Sequence, residues 1–214
     1  MVVTEIAEKL VVRPKDKTTS IGQDEARFVY EFLQKHEIKR TMEVGFAYGY
    51  SAACIIGATG SNHIAIDPFQ STFDNAGMKN LKALGYGPQC ELREAPSHVA
   101  LPQLLKEGKT FQFIFVDGGH RFDEIFVDWY YSDLLLEKDG YVLFHDLWMR
   151  STQMVAAFIQ TNRADYRSIP TPLKNLVLFQ KSDRKDERSW DHFEEFYPAN
   201  HTGLLGKIVR KFRR

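Results

Sequence analysis

The chain has 214 residues, 43% hydrophobic and 26% charged, enough apolar material for the core of one α/β domain. Lysines and arginines equal aspartates and glutamates at 28 each, so no global basic field exists to hold a nucleic-acid backbone. Two cysteines, Cys54 and Cys90, are too few for a disulfide framework or a thiolate zinc site, and no run approaches the roughly 18 apolar residues of a membrane span. The charged N-terminus lacks the apolar stretch of a signal peptide, so a cytosolic location is the expectation.

Residues 1–20 read as a loose lead-in. IGQDEARFVYEFLQKHEI then places Ala26, Val29, Tyr30 and Leu33 on one helical face. Apolar runs suited to buried strands follow: TMEVGF (41–46), HIAID (63–67), CELREA (90–95), FQFIFVD (111–117), GYVLFHD (140–146) and LVLFQ (176–180). The segments between them, such as SAACIIGA and STQMVAAFIQTN, show helical spacing, and several end at glycine. Alternating strand and helix predicts right-handed crossovers and a doubly wound, Rossmann-like sheet, mainly parallel and seven-stranded, with helices on both faces. The expected organisation is a core domain over 21–182 and a charged extension over 183–214. That extension ends in GLLGKIVRKFRR, whose Leu204, Leu205, Ile208, Val209 and Phe212 share a helical face. A solvated tail is the expectation there, although the face permits contact with a membrane surface.

In such sheets ligands sit at the carboxyl ends of the strands. The first strand runs into Glu43-Val44-Gly45-Phe46-Ala47-Tyr48-Gly49-Tyr50-Ser51, where Gly45 permits a sharp turn and Gly49 opens a helix N-terminus. Asp67 closes the second strand, where an acid can accept hydrogen bonds from both ribose hydroxyls. The pair of features suits a dinucleotide or S-adenosylmethionine (SAM). The dinucleotide pattern needs a second glycine where Ala47 stands, and a carboxylate such as Glu43 suits a cationic sulfonium better than a pyrophosphate.

EVGFAYGYSAACIIGA, HIAIDPF and FIFVDGGHRFDEIFVDWYYSDLLLEKDGYVLFHD resemble the successive motifs of class I SAM-dependent methyltransferases, in order and spacing over about residues 20–180. Within that superfamily they are most similar to the small-molecule O-methyltransferase branch of catechol, caffeoyl-CoA and macrolide-sugar enzymes. The resemblance implies that Glu43, Gly45, Gly49 and Ser51 line the methionine part of the cofactor and that Asp67 holds its ribose. By the same resemblance Ala95 and Ser97 meet adenine, Pro68 and Phe69 shape its wall, and Asp117 faces both the cofactor and the chemistry.

Asp117 and Asp146 end the fourth and fifth strands, with His120 three residues past the first and His145 beside the second. The resemblance implies a divalent metal, usually magnesium, held by Asp117, His145 and Asp146. An imidazole at 145 departs from magnesium's preference for oxygen and tilts the site toward manganese, iron, zinc or no metal. His120, by resemblance to the sugar-methylating members, is the base that takes the acceptor proton, and an ordinary imidazole pKa of about 6.5 suits it. Asp123, Glu124 and Asp128 read as solvent-facing acids of an early helical turn, Trp129, Tyr130 and Tyr131 as helix-packing aromatics, and Trp148, Met149 and Arg150 as a roof for an acceptor pocket, with a core role the alternative for Trp148. His36, His63, His98, His192 and His201 have no partner at useful spacing. The expected activity is methyl transfer to a small-molecule hydroxyl by a homo-oligomeric enzyme. An NAD-dependent oxidoreductase and a catalytically inactive binding module are the alternatives.

Overall fold

The computed structural model describes residues 1–16 and 19–198. The basic tail lies outside the described residues. Seven strands form one sheet in the order β3-β2-β1-β4-β5-β7-β6. They are β1 (Thr41–Val44), β2 (His63–Ile66), β3 (Cys90–Arg93), β4 (Phe111–Val116), β5 (Leu136–Phe144), β6 (Tyr166–Ile169) and β7 (Val177–Lys181). The first five run parallel, and β7 pairs antiparallel with both β5 and β6.

The period-two alternation of the central strands divides the core into two layers. Phe113, Phe115, Tyr141 and Leu143 face one side, under α1 (Val3–Lys9), α2 (Gln23–Lys35) and α3 (Tyr50–Thr59). Met42, Val44, Ile114, Val116, Val142 and Phe144 face the other. That side is covered by α5 (Ser97–Lys106), α6 (Phe122–Leu135) and α7 (Arg150–Asn162), while α4 (Ala76–Ala83) sits beside the β2–β3 crossover. Covered on both sides, the central strands have no polar face, which is why they read as unbroken apolar runs.

Three segments differ from the sequence reading. Residues 1–16 are not loose: α1 buries Val3 and Ile6, and Val11 is clipped by Asn80, which donates to its carbonyl and accepts from its N–H at 3.1 and 3.0 Å. The α6 helix stops at Leu135, and β5 starts at Leu136, four residues before Gly140. Asp139, at φ +62°, and a register shift opposite Phe111–Phe113 carry the chain through an irregular stretch there. The edge strand β6 was not anticipated, because Tyr-Arg-Ser-Ile is half exposed and lacks the apolar run of its neighbours. Part of the C-terminal extension is seated: Phe196 packs edge-on against Phe158 of α7, and the Asn162 amide pairs with both backbone groups of Glu194.

Candidate active site

Strand register decides what meets at the sheet's carboxyl edge. Val44 is level with Ile66 and Val116, and Val116 with Phe144, so the residues that follow emerge side by side. Those residues are Gly45, Asp67, Asp117 and His145. They open into a cavity of about 800 Å³. Gly45, at φ +93°, is irreplaceable there, since a Cβ would stand 2.0 Å from the Asp117 carbonyl oxygen. Ala47 and Asp146 also hold left-handed backbone, at φ +43° and +56°. Such strain in non-glycine residues gathers at ligand sites.

Of the predicted cofactor residues, Gly45, Ser51, Asp67, Ser97 and Asp117 line this cavity, together with Pro68 and Phe69. Asp67 accepts backbone N–H groups from Phe46, Ala47 and Phe69 at 3.1, 2.7 and 2.7 Å, so it ties the first two tip loops together. Three others lie outside the lining. Glu43 is fully buried under α3, with its Oε1 3.5 Å from His63 Nε2, and its charge adds to burial in raising the Cys54 and Cys90 thiols to about 12. Gly49 serves the turn, its would-be Cβ being 3.1 Å from the Gly77 carbonyl, and Ala95 packs on the α5–α6 core layer. Asp128 is not solvent-facing: it is wholly buried, and burial pushes its pKa up to about 7 despite the Ser97 hydroxyl nearby. His63 does have a partner, Thr41 Oγ1 at 2.9 Å, and His98 lines the cavity. Trp148 and Met149 line the mouth, Trp148 being 68% exposed and donating to Asp146 Oδ1 at 2.9 Å. Of the α6 aromatics, Trp129 is buried, whereas Tyr130 is half exposed.

The two tip histidines stand in different surroundings. His145 is 10% exposed, with Nδ1 2.9 Å from Asp117 Oδ1 and Nε2 3.0 Å from Glu25 Oε2. Both partners are carboxylates, which only accept, so both ring nitrogens donate. Burial opposes the charge, but Asp117 and Glu25 outweigh it and push the imidazole pKa up to about 10. Reciprocally, the His145 hydrogen bond pulls Glu25 down to about 2, while burial drives Asp117 upward. His120 is 42% exposed, and its Nε2 has one carboxylate nearby, Asp146 Oδ2 at 3.4 Å. Because its nitrogens are occupied, His145 is withheld from the predicted metal set. The donors that do converge are one atom each from Asp117, His120 and Asp146, all within 4.8 Å of one another.

A family profile described as a methyltransferase domain matches residues 42–147, from β1 through the fifth strand tip. The caffeoyl-CoA O-methyltransferase of Petroselinum crispum is 27% identical over 146 residues, 66% of this chain and 52% of that protein. A second caffeoyl-CoA O-methyltransferase, from Eucalyptus globulus, is 31% identical over 99 residues, 44% of this chain and 40% of the relative. The chain thus spans about half the length of the curated relatives it matches. Among solved structures, the O-methyltransferase TomG of Streptomyces achromogenes, in complex with SAM, superimposes with a TM-score of 0.68 at 18% identity, over 84% of this chain and 89% of that one. A SAH-bound methyltransferase of Podospora anserina gives 0.70 at 18% identity, over 85% and 88%. Residues 42–147 thus match a methyltransferase domain, and the whole sheet shares its fold with solved methyltransferases.

Residues outside the matched span take part in the site: Thr19 to Ile21 line the cavity from the lead-in, as Trp148 and Met149 do from beyond 147. Glu25 of α2 backs His145, and Asn175 donates to Glu25 Oε1 at 3.0 Å, its Nδ2 also lying 3.0 Å from His145 Nε2. Asp16 holds the lead-in down by accepting the Tyr48 hydroxyl at 2.5 Å and Arg13 Nε at 2.6 Å. Sequence reasoning missed Glu25, Asn175 and Tyr48. Glu25 carries a local signal as an acid in a helical first turn, and nothing local relates it to a residue 120 positions away.

Proposed function

We propose that the cavity binds SAM and that the protein transfers its methyl group to a hydroxyl of a small molecule. The observation that carries this reading is the single cavity edge at which Gly45, Asp67, Ser97, Asp117 and His120 converge, on a fold shared with proteins solved holding SAM or SAH. In this reading Gly45 and Ser51 take the methionine part, Asp67 the ribose, and Ser97 with Pro68 and Phe69 the adenine. Glu43, Gly49 and Ala95 support those residues from behind. Phe46 and Ala47 owe their position to the Asp67 carboxylate, so one side chain shapes the turn and faces the ligand.

Methyl transfer needs the acceptor oxygen, methyl carbon and sulfur in line, and holding them so supplies the larger part of the rate. His120, exposed at the cavity mouth beside Asp146, takes the acceptor proton. Asp117, locked by His145, keeps a fixed negative wall beside it. Trp148 and Met149 cover the acceptor. Two carboxylates and an imidazole fit a divalent cation, and the nitrogen favours manganese, iron or zinc over magnesium. When bound, such an ion lowers the acceptor hydroxyl's pKa. Asp117, His120 and Asp146 would hold it, and the ion would then take the place of the free His120 base in activating the acceptor.

Among the described residues no helix is long and apolar enough to cross a membrane, and a cytoplasmic location belongs to the proposal. The test is incubation of the full chain with methyl-labelled SAM and each of caffeoyl-CoA, catechol and a methyl glycoside, with and without manganese or magnesium. Label in one hydroxyl product is expected. No transfer to any acceptor under either metal condition would count against the reading.

A further inference from the structure

We propose that Glu25 is a positioning residue for the strand-tip site: through the His145 ring it fixes the Asp117 carboxylate. The inference rests on the methyl-transfer reading of the cavity. Four groups from four segments form one chain: α2, the tips of β4 and β5, and the loop before β7. Glu25 Oε2 lies 3.0 Å from His145 Nε2, His145 Nδ1 lies 2.9 Å from Asp117 Oδ1, and Asn175 Nδ2 lies 3.0 Å from Glu25 Oε1. The side chains of Glu25, His145 and Asp117 are only 14%, 10% and 18% exposed.

A bland role for Glu25 exists. Its Oε2 also accepts the Gly22 N–H at 2.7 Å, closing the first turn of α2. That role needs no histidine, and a cap at a helix start is ordinarily solvated. Here the carboxylate is turned inward, and its second oxygen is held by an amide from the loop before β7. Phe115 meets the ring's edge at 6.2 Å between centroids, and Asp146 Oδ1 stands 3.3 Å from Nδ1 beside the Asp117 bond, so on the Nε2 side the acceptor that holds the ring is Glu25. If Glu25 is removed, Nε2 loses its acceptor, the ring can tilt between Asp117 and Asp146, and the Asp117 carboxylate loses its single orientation. Displacements of that size at a reacting centre cost far more rate than binding. Glu25 and Asn175 lie on either side of residues 42–147, so segments flanking the matched span hold the His145 ring.

The test uses the full chain, with the variants Glu25→Ala, Glu25→Gln and Asn175→Ala. Glutamine keeps an oxygen that accepts from Nε2 and serves at the helix start, so it should rescue. Glu25→Ala is expected to lower kcat by about tenfold or more with KM for SAM within about twofold, and Asn175→Ala to lower it less. Glu25→Gln should stay within about threefold of the native rate. A histidine side-chain NMR spectrum should show two hydrogen-bonded ring protons for His145 in the native protein and in Glu25→Gln, and lose them in Glu25→Ala. A cap alone would lower the melting temperature of Glu25→Ala and leave kcat and the ring protons unchanged, which would overturn the inference. Turnover is read with caffeoyl-CoA, catechol and a methyl glycoside. If the native protein methylates none of them, the methyl-transfer reading falls, while the ring-proton spectrum still decides whether Glu25 holds His145.

Discussion

His145 and His120 sit at neighbouring strand tips, one residue from Asp146 in the first case and facing it in the second, yet they are built for opposite tasks. His145 is buried, held at both nitrogens by carboxylates, and pushed up to about 10. His120 is 42% exposed with one carboxylate at 3.4 Å. The difference comes from what packs over each. The α2 helix lays Glu25 against His145, whereas only the cavity mouth lies over His120. A locked imidazole organises its neighbours, and a free one can exchange a proton with a ligand.

Removing each ring should expose that contrast. His145→Ala strands the buried Asp117 and Glu25 charges against each other, and urea denaturation should show a loss of about 3–5 kcal/mol. His120→Ala should lose less than about 1 kcal/mol by the same measurement, because its pair is half exposed. Its effect falls on turnover, with a drop of roughly a hundredfold while SAM affinity holds, read from initial rates and calorimetry.

The buried carboxylates give a second contrast. Asp117 has an imidazolium as partner, and Asp128 has none and is raised to about 7 from 3.8 by burial. Ionising Asp128 therefore costs stability, progressively as pH rises from 3.8 and in full above about 7. Asp128→Asn should stabilise the fold at pH 8 by on the order of 1–2 kcal/mol and do nothing at pH 3.5, as thermal melts at the two pH values will show.

The locked pair has a pH dependence of its own. Glu25, depressed from 4.5 to about 2, contributes stability that is whole above 4.5 and lost as pH falls through 2. His145, raised from 6.5 to about 10, contributes stability that is whole below 6.5 and lost as pH rises through 10. Denaturation midpoints should fall between pH 6.5 and 10 in the native chain, and this decline should be absent in His145→Gln.

Much of this was legible in the chain. Runs such as FIFVD and YVLFHD announce doubly covered strands, and their terminal acids mark the sheet edge where ligands gather. Asp67 and Gly45 were legible because a positive φ and a strand-end acid have few other uses. Three things were not. The edge strand β6 has no apolar run, since one flank and much of its surface meet solvent. Glu43 looks from sequence like a cofactor ligand, but strand alternation turns it toward His63 and the α3 side. His145 looks like a metal ligand because Glu25, which occupies its second nitrogen, lies 120 residues away and reaches it only through the packing of α2 on the sheet.

The central claim is that the strand-tip cavity is a SAM site. Calorimetric titration of the full chain with SAM, and separately with NAD, tests it most directly. The account predicts saturable one-to-one binding of SAM, weakened at least tenfold by Asp67→Ala in a protein that still folds, and no binding of NAD. Tight NAD binding with none of SAM would contradict it.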